Sequence, residues 1–148
     1  TGYQWYWGYE YPDHGGFAFD SLMLSDDERG DQPRLLATDT AMVVPVDTTV
    51  RVVVTGADVL HSWAMPAFGV KMDAVPGRLN ETWFRAEKTG TYYGQCSELC
   101  GIRHAFMPIR VEVVEPDEFV SWVSDARAEY AQLETSKDML ADAGNLNK

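Results

Sequence analysis

Twelve residues, Cys96 to Met107, gather two thiols, an imidazole and a thioether. The run before them, Thr91-Tyr92-Tyr93-Gly94-Gln95, is aromatic, and the run after them, Ile109-Arg110-Val111-Glu112-Val113, alternates apolar and charged residues. Both read as β-strands. A ligand-bearing loop tethered at each end by a strand is a rigid loop. The chain is therefore constrained to a β-fold that presents this loop, and Pro108 closes it.

The donor types narrow the metal. Thiolate, thioether and imidazole are soft or borderline ligands, which select copper over magnesium or calcium. A second imidazole, His61, sits in the loop Asp58-Val59-Leu60-His61-Ser62-Trp63. Cys100, His104, Met107 and a distant histidine already make up a mononuclear blue-copper set. Cys96 is then one thiol too many. Two coppers bridged by both sulfurs use every donor, each metal keeping one imidazole and one weak axial ligand. Met107 supplies one axial position, and a backbone carbonyl between the cysteines supplies the other. Such a pair shares one electron with little change in bond length and leaves no open position for substrate. It points to electron transfer.

Three other readings compete. Two cysteines outside the cytoplasm commonly form a disulfide. A zinc site of two Cys and two His leaves Met107 without a purpose. A copper-delivery protein on a thioredoxin-like fold requires helices alternating with parallel strands, a pattern this chain lacks. The full donor set favours dinuclear copper.

Along the chain, residues 3–10 predict a strand in which Tyr6 faces the core, opposite Trp5 and Trp7. Pro12 to Gly16 is a turn that leaves His14 exposed. Phe17 to Leu24 predicts a second strand, and residues 25–34 a solvated loop with four acids and two arginines. Leu35 to Val46 is apolar and β-branched. Val50 to Thr55 predicts a strand buried on nearly both faces. Met65 reads as packing beside Trp63, and residues 71–80 read as irregular. Thr82–Ala86 and Thr91–Gln95 predict a hairpin about Glu87-Lys88-Thr89-Gly90. Glu115-Pro116-Asp117 opens a helix. Its stripe of Phe119, Trp122, Ala126, Tyr130 and Leu133 predicts docking on the sandwich or on a neighbouring subunit. Many short strands and one terminal helix predict an all-β Greek-key sandwich, antiparallel throughout.

At 148 residues the chain is one domain with a tail, and 45% hydrophobic content suffices for a core. The expected boundaries are a β-domain at 1–115, a helix packed on it at 116–134 and a flexible tail at 135–148. No run approaches the roughly 18 apolar residues of a membrane helix. The chain opens without an initiator Met or signal peptide, which reads as an excised piece. A net charge of −11 disfavours nucleic acid and suits a basic protein partner.

Gly94 through Pro108 resembles the copper-binding loop of cytochrome c oxidase subunit II. Asp58 to Trp63 is similar to the loop with its first histidine. Gly2-Tyr3-Gln4-Trp5-Tyr6-Trp7 is similar to its aromatic segment, and Asp73-Ala74-Val75-Pro76-Gly77-Arg78-Leu79-Asn80 to another of its signatures. The likeness runs from about Gly2 to about Trp122, with Tyr3 replacing a frequent histidine. It implies a cupredoxin domain holding a dinuclear copper-A centre. By this resemblance Cys96 and Cys100 bridge the coppers, His61 and His104 each ligate one, and Met107 and the Glu98 carbonyl are weak ligands. The Glu98 carboxylate would reach a magnesium ion at the junction with subunit I. Trp5 would be the entry point for electrons from cytochrome c, docked on Glu10, Asp20, Asp39 and Asp58. The family further implies N-terminal membrane helices and a place on the periplasmic face of the bacterial inner membrane, or its mitochondrial counterpart facing the intermembrane space. Nitrous oxide reductase, which uses a similar domain as an internal relay, is the nearest alternative, and a copper-delivery protein a further one.

Overall fold

The computed structural model describes the backbone of residues 1–145 and the side chains of residues 1–131. Two short antiparallel groups and one larger sheet enclose the core. The first group comprises β1 (Gly2–Tyr3), β2 (Tyr6–Tyr11) and β3 (Phe17–Ser21). Phe17, Phe19 and Ser21 point inward while Ala18 and Asp20 point outward, the period of two expected of a half-buried strand. The large sheet contains β4 (Met42–Pro45), β6 (His61–Met65), β7 (Val70–Ala74), β9 (Gly90–Cys96) and β10 (Pro108–Val114), in the order β4-β10-β9-β6-β7. The remaining pair is β5 (Thr49–Val54) with β8 (Asn80–Arg85). Trp7, Val44, Trp63, Met65, Phe84, Ile109 and Val111 fill the space between.

The all-β architecture with a terminal helix is as expected, and several details differ. The strand expected over 3–10 is broken by a turn at Gln4–Trp5. Tyr6 lies half-buried against Tyr3, and Trp7 is the core residue, 1% exposed. The break shifts the alternation that the unbroken run would have had. The second expected strand ends early, at Ser21. The sheet is not wholly antiparallel, because β4 pairs with β10 in parallel. Residues 71–74, expected within an irregular stretch, belong to β7, with Val70 and Ala74 buried and Lys71 and Asp73 exposed. The expected hairpin does not form. β8 pairs with β5, while β9 pairs with β10 and β6, so the turn at 87–89 carries the chain across the sandwich. β5 is less buried than expected, with Val53 43% exposed.

The helix α1 spans Pro116–Asn145, past the expected end at 134. No Gly or Pro interrupts it before Gly144, and Lys, Met, Leu and Ala favour continuation. The last three residues, and the side chain of Leu133, lie outside the described residues. At its start Glu118 reaches back to the backbone N–H of Glu115 at 3.1 Å, as in a capping box. Trp122, Ala126 and Tyr130 pack on Phe17, Phe19 and Tyr11, with ring centroids 5.0 Å apart for Phe19 and Tyr130. His14 is half-buried rather than exposed, its ring edge-on to Phe119 at 5.2 Å.

Candidate metal centre

Two hydrogen-bonded strands bring the ligand loops together. β6 begins at His61, β9 ends at Cys96, and the register pairs Trp63 with Cys96. Beyond the paired residues, Ser97 N–H donates to the Ser62 carbonyl at 3.0 Å. Gly94 permits this approach, since a Cβ there would overlap the Ala64 carbonyl.

His61 is fully buried. Its Nε2 lies 2.9 Å from Asp58 Oδ1, and its Nδ1 is buried with no partner. Cys96 and Cys100 are buried free thiols whose sulfurs are 3.8 Å apart. The ligand atoms of His61, Cys96 and Cys100 all lie within 4.8 Å of one another. His104 Nδ1 and Met107 Sδ are each 3.5 Å from Cys100 Sγ, and the Glu98 carbonyl oxygen is 3.3 Å from Cys96 Sγ. The side chains anticipated as ligands therefore lie close together, with Glu98 contributing its carbonyl. The Glu98 side chain lies in an exposed stretch.

The electrostatics suit a cation. Burial, reinforced by the adjacent Cys96 thiol, pushes the Cys100 thiol up to about 12. A thiolate there needs a metal to stabilise it. The orphaned imidazole nitrogen of His61 is a lone pair held out of water, a cost that coordination removes. The fully buried Met107 beside Cys100 is a soft donor. This set fits copper better than zinc.

Trp5 Nε1 donates to the Cys100 carbonyl at 3.2 Å, so the residue expected to receive electrons touches the ligand loop directly. Trp7 Nε1 donates to the Met107 carbonyl at 3.3 Å. Trp7 and Gln4, which also contacts the Cys100 carbonyl, are legible only as members of the aromatic segment, with no role of their own. Of the four acids expected on a docking face, Asp58 alone contacts one of the candidate ligands, His61. Burial raises its carboxyl, but hydrogen bonds from His61, Gln4 N–H and Val59 N–H outweigh this and hold it below the usual range. Glu10, Asp20 and Asp39 are exposed. Apolar side chains also stand out on the ligand loops: Leu99 is 81% and Ile102 89% exposed.

Fold and site together define a cupredoxin-like domain with a sulfur-rich site suited to copper. Residues 1–114 match the family described as cytochrome c oxidase subunit II, periplasmic domain, and the chain belongs to that family. It is 56% identical over 138 residues to a probable cytochrome c oxidase subunit 2 of Rickettsia bellii, which covers 93% of this chain and 51% of the relative. It is 56% identical over 146 residues to cytochrome c oxidase subunit 2 of Cereibacter sphaeroides, covering 86% and 48%. The chain thus spans about half the length of these curated relatives, which are subunits of an oxidoreductase complex. Its fold is similar to the crystal structure of the periplasmic domain of subunit II of cytochrome oxidase (CoxB) of Bradyrhizobium japonicum, with 65% identity, a TM-score of 0.83 and coverage of 88% and 91%. It is also similar to a subunit II domain captured as a mixed disulfide with a thioredoxin-like protein, with 64% identity, a TM-score of 0.74 and coverage of 86% and 87%. These relatives disfavour the nitrous oxide reductase and copper-delivery readings. Among the described residues no helix is long and apolar enough to cross a membrane.

Proposed function

We propose that this domain holds a dinuclear copper-A centre and relays electrons from cytochrome c to subunit I of a haem-copper oxidase. The observation that supports this most is the convergence of two free thiols, the His61 imidazole, His104 Nδ1 and the Met107 sulfur in one cluster. Cys96, Cys100, His61, His104 and Met107, with the Glu98 carbonyl, would hold the two metals. The bound pair would supply one-electron redox chemistry with small reorganisation.

The protein does the rest. Its buried sulfurs exclude water. Trp5, hydrogen-bonded to the Cys100 carbonyl, is the entry for electrons. Glu10, Asp20, Asp39 and Asp58 attract a basic donor, consistent with the net charge of −11. The Glu98 carboxylate would hold a magnesium ion at the subunit I junction. N-terminal helices anchor the full-length subunit on the periplasmic side of the inner membrane. The two free thiols also suit exchange with a thioredoxin-like partner, the kind of protein caught on the 64%-identical relative. The domain alone carries electrons and reduces no oxygen.

Copper stoichiometry and electron paramagnetic resonance of the oxidised, reconstituted domain test this reading. The expected result is two coppers per chain and hyperfine structure from one electron shared over both nuclei. One copper, or a spectrum localised on one nucleus, would overturn it. Trp5→Phe should leave that spectrum intact and slow reduction by cytochrome c, and an unchanged rate would remove Trp5 from the path.

A further inference from the structure

The turn between β1 and β2 touches both ligand loops. Gln4 N–H donates to Asp58 Oδ2 at 2.7 Å, and the Gln4 side-chain amide donates to the Cys100 carbonyl at 2.8 Å. Trp5 Nε1 donates to that same carbonyl. Asp58, through its other oxygen, meets His61 Nε2. One residue is therefore bonded toward the His61 loop on one side and the Cys96–Met107 loop on the other. We propose that Gln4 and Asp58 are positioning residues, and that the Gln4–Trp5 turn is a clasp holding the two ligand loops at a fixed separation. This rests on the dinuclear copper reading and extends it, giving Gln4 a role and Asp58 one besides docking.

The physical case has three parts. A carboxylate accepting from one imidazole nitrogen fixes the tautomer and frees the other nitrogen's lone pair. Here that freed atom is Nδ1, the buried atom without a partner. Two donors occupy both lone pairs of the Cys100 carbonyl, which fixes the peptide plane beside a ligand thiol. The turn also lies flush on the loop. At Gly101, where φ is +122°, a Cβ would stand 3.0 Å from Trp5 Cζ2 and 3.1 Å from Gln4 Nε2.

The test uses Gln4→Met and Asp58→Asn. Methionine keeps the length of Gln4 and its backbone N–H but removes the amide donor. Asparagine leaves one oxygen where the Asp58 carboxylate serves three donors. A homologous periplasmic domain forms crystals by itself, so the isolated domain is a sound object for the experiment. Readouts are the paramagnetic resonance spectrum, the reduction potential, copper loss to a chelator, and the salt dependence of the reaction with cytochrome c. Both variants should hold copper about 10- to 100-fold less tightly, the usual effect of removing a group that orients a metal ligand. Spectrum and potential should shift as well. Gln4→Met, which changes no charge, should keep the parental salt dependence. Parental spectrum, potential and retention in both variants would overturn the proposal. If the parent domain itself takes up fewer than two coppers, the copper-A reading fails instead. The clasp is then read in the metal-free protein by amide hydrogen exchange at Ser97 and His104, whose N–H groups bond to Ser62 and Gly101. Gly101 follows the clasped carbonyl directly. Gln4→Met should speed exchange there, and unchanged exchange would overturn the clasp.

Discussion

The two imidazoles of the site are held in different ways. His61 opens a strand, is fully buried, and meets Trp7 edge-on at a centroid distance of 6.0 Å. A Cβ at Gly2 would come within 2.8 Å of its Cδ2, and Asp58 fixes its Nε2. His104 begins a short 3₁₀ turn, His104–Phe106, and is only half-buried. Its Nδ1 approaches Cys100, and its Nε2 has no partner among the described residues. One imidazole is thus placed by the sandwich and the other by the ligand loop itself. The centre has one side packed into the core and one side borne on the ligand loop.

The comparison breaks most completely at the sulfurs both sides share. Cys96→Ser is expected to abolish the dinuclear site and leave at most one copper at Cys100. Two coppers per chain with an unchanged spectrum would refute bridging. Acidity should have the next largest effect. The Cys100 thiol, at about 12, is protonated throughout the neutral range, so copper must displace its proton. Apparent affinity should therefore rise with pH by about tenfold per unit for that proton. A flat titration by competition with a chelator would exclude Cys100 as a ligand.

The imidazoles themselves then sharpen the contrast. In the metal-free domain His61→Ala should cost about 2–4 kcal/mol in denaturant unfolding, by opening a core cavity. His104→Ala should cost under about 1 kcal/mol. Equal costs would erase the distinction. Gly2→Ala, which pushes on the His61 ring, should cost about 1–3 kcal/mol by overpacking, with copper retention reduced. Met107→Leu is the mildest for the metal. It conserves volume and should cost less than about 1.5 kcal/mol, keep both coppers and shift the reduction potential. An unchanged potential would count against Met107 as a ligand.

The cluster of candidate donors was readable because soft donors at short spacing are rare, and because strand-like runs flank them. The start of α1 was equally plain, since Pro116, Asp117 and Glu118 are local signals. What escaped were matters of partnership. The turn at 87–89 looks the same whether the chain folds back or crosses to another sheet; only the partners of Phe84 and Tyr92 decide. β7 was masked by Pro76 and Gly77 just beyond it, although its own Val-Lys-Met-Asp-Ala alternates. The break at Gln4–Trp5 inverted the facing of Tyr6 and Trp7, because a single interruption reverses a period of two. The role of Gln4 is hidden for a related reason: its bonds cross 54 and 96 positions of sequence.

Leu99 and Ile102 protrude from a chain whose net charge is −11. Two copies of the domain are therefore driven apart by their overall charge and drawn together at their apolar tips. The repulsion is long-ranged and decays with salt, over a screening length of about 30 Å at 0.01 M and about 8 Å at 0.15 M. The attraction acts only at contact and survives screening. Raising ionic strength is therefore expected to weaken the repulsion between copies while leaving the apolar contact unscreened, so light scattering across a salt series should rise with salt.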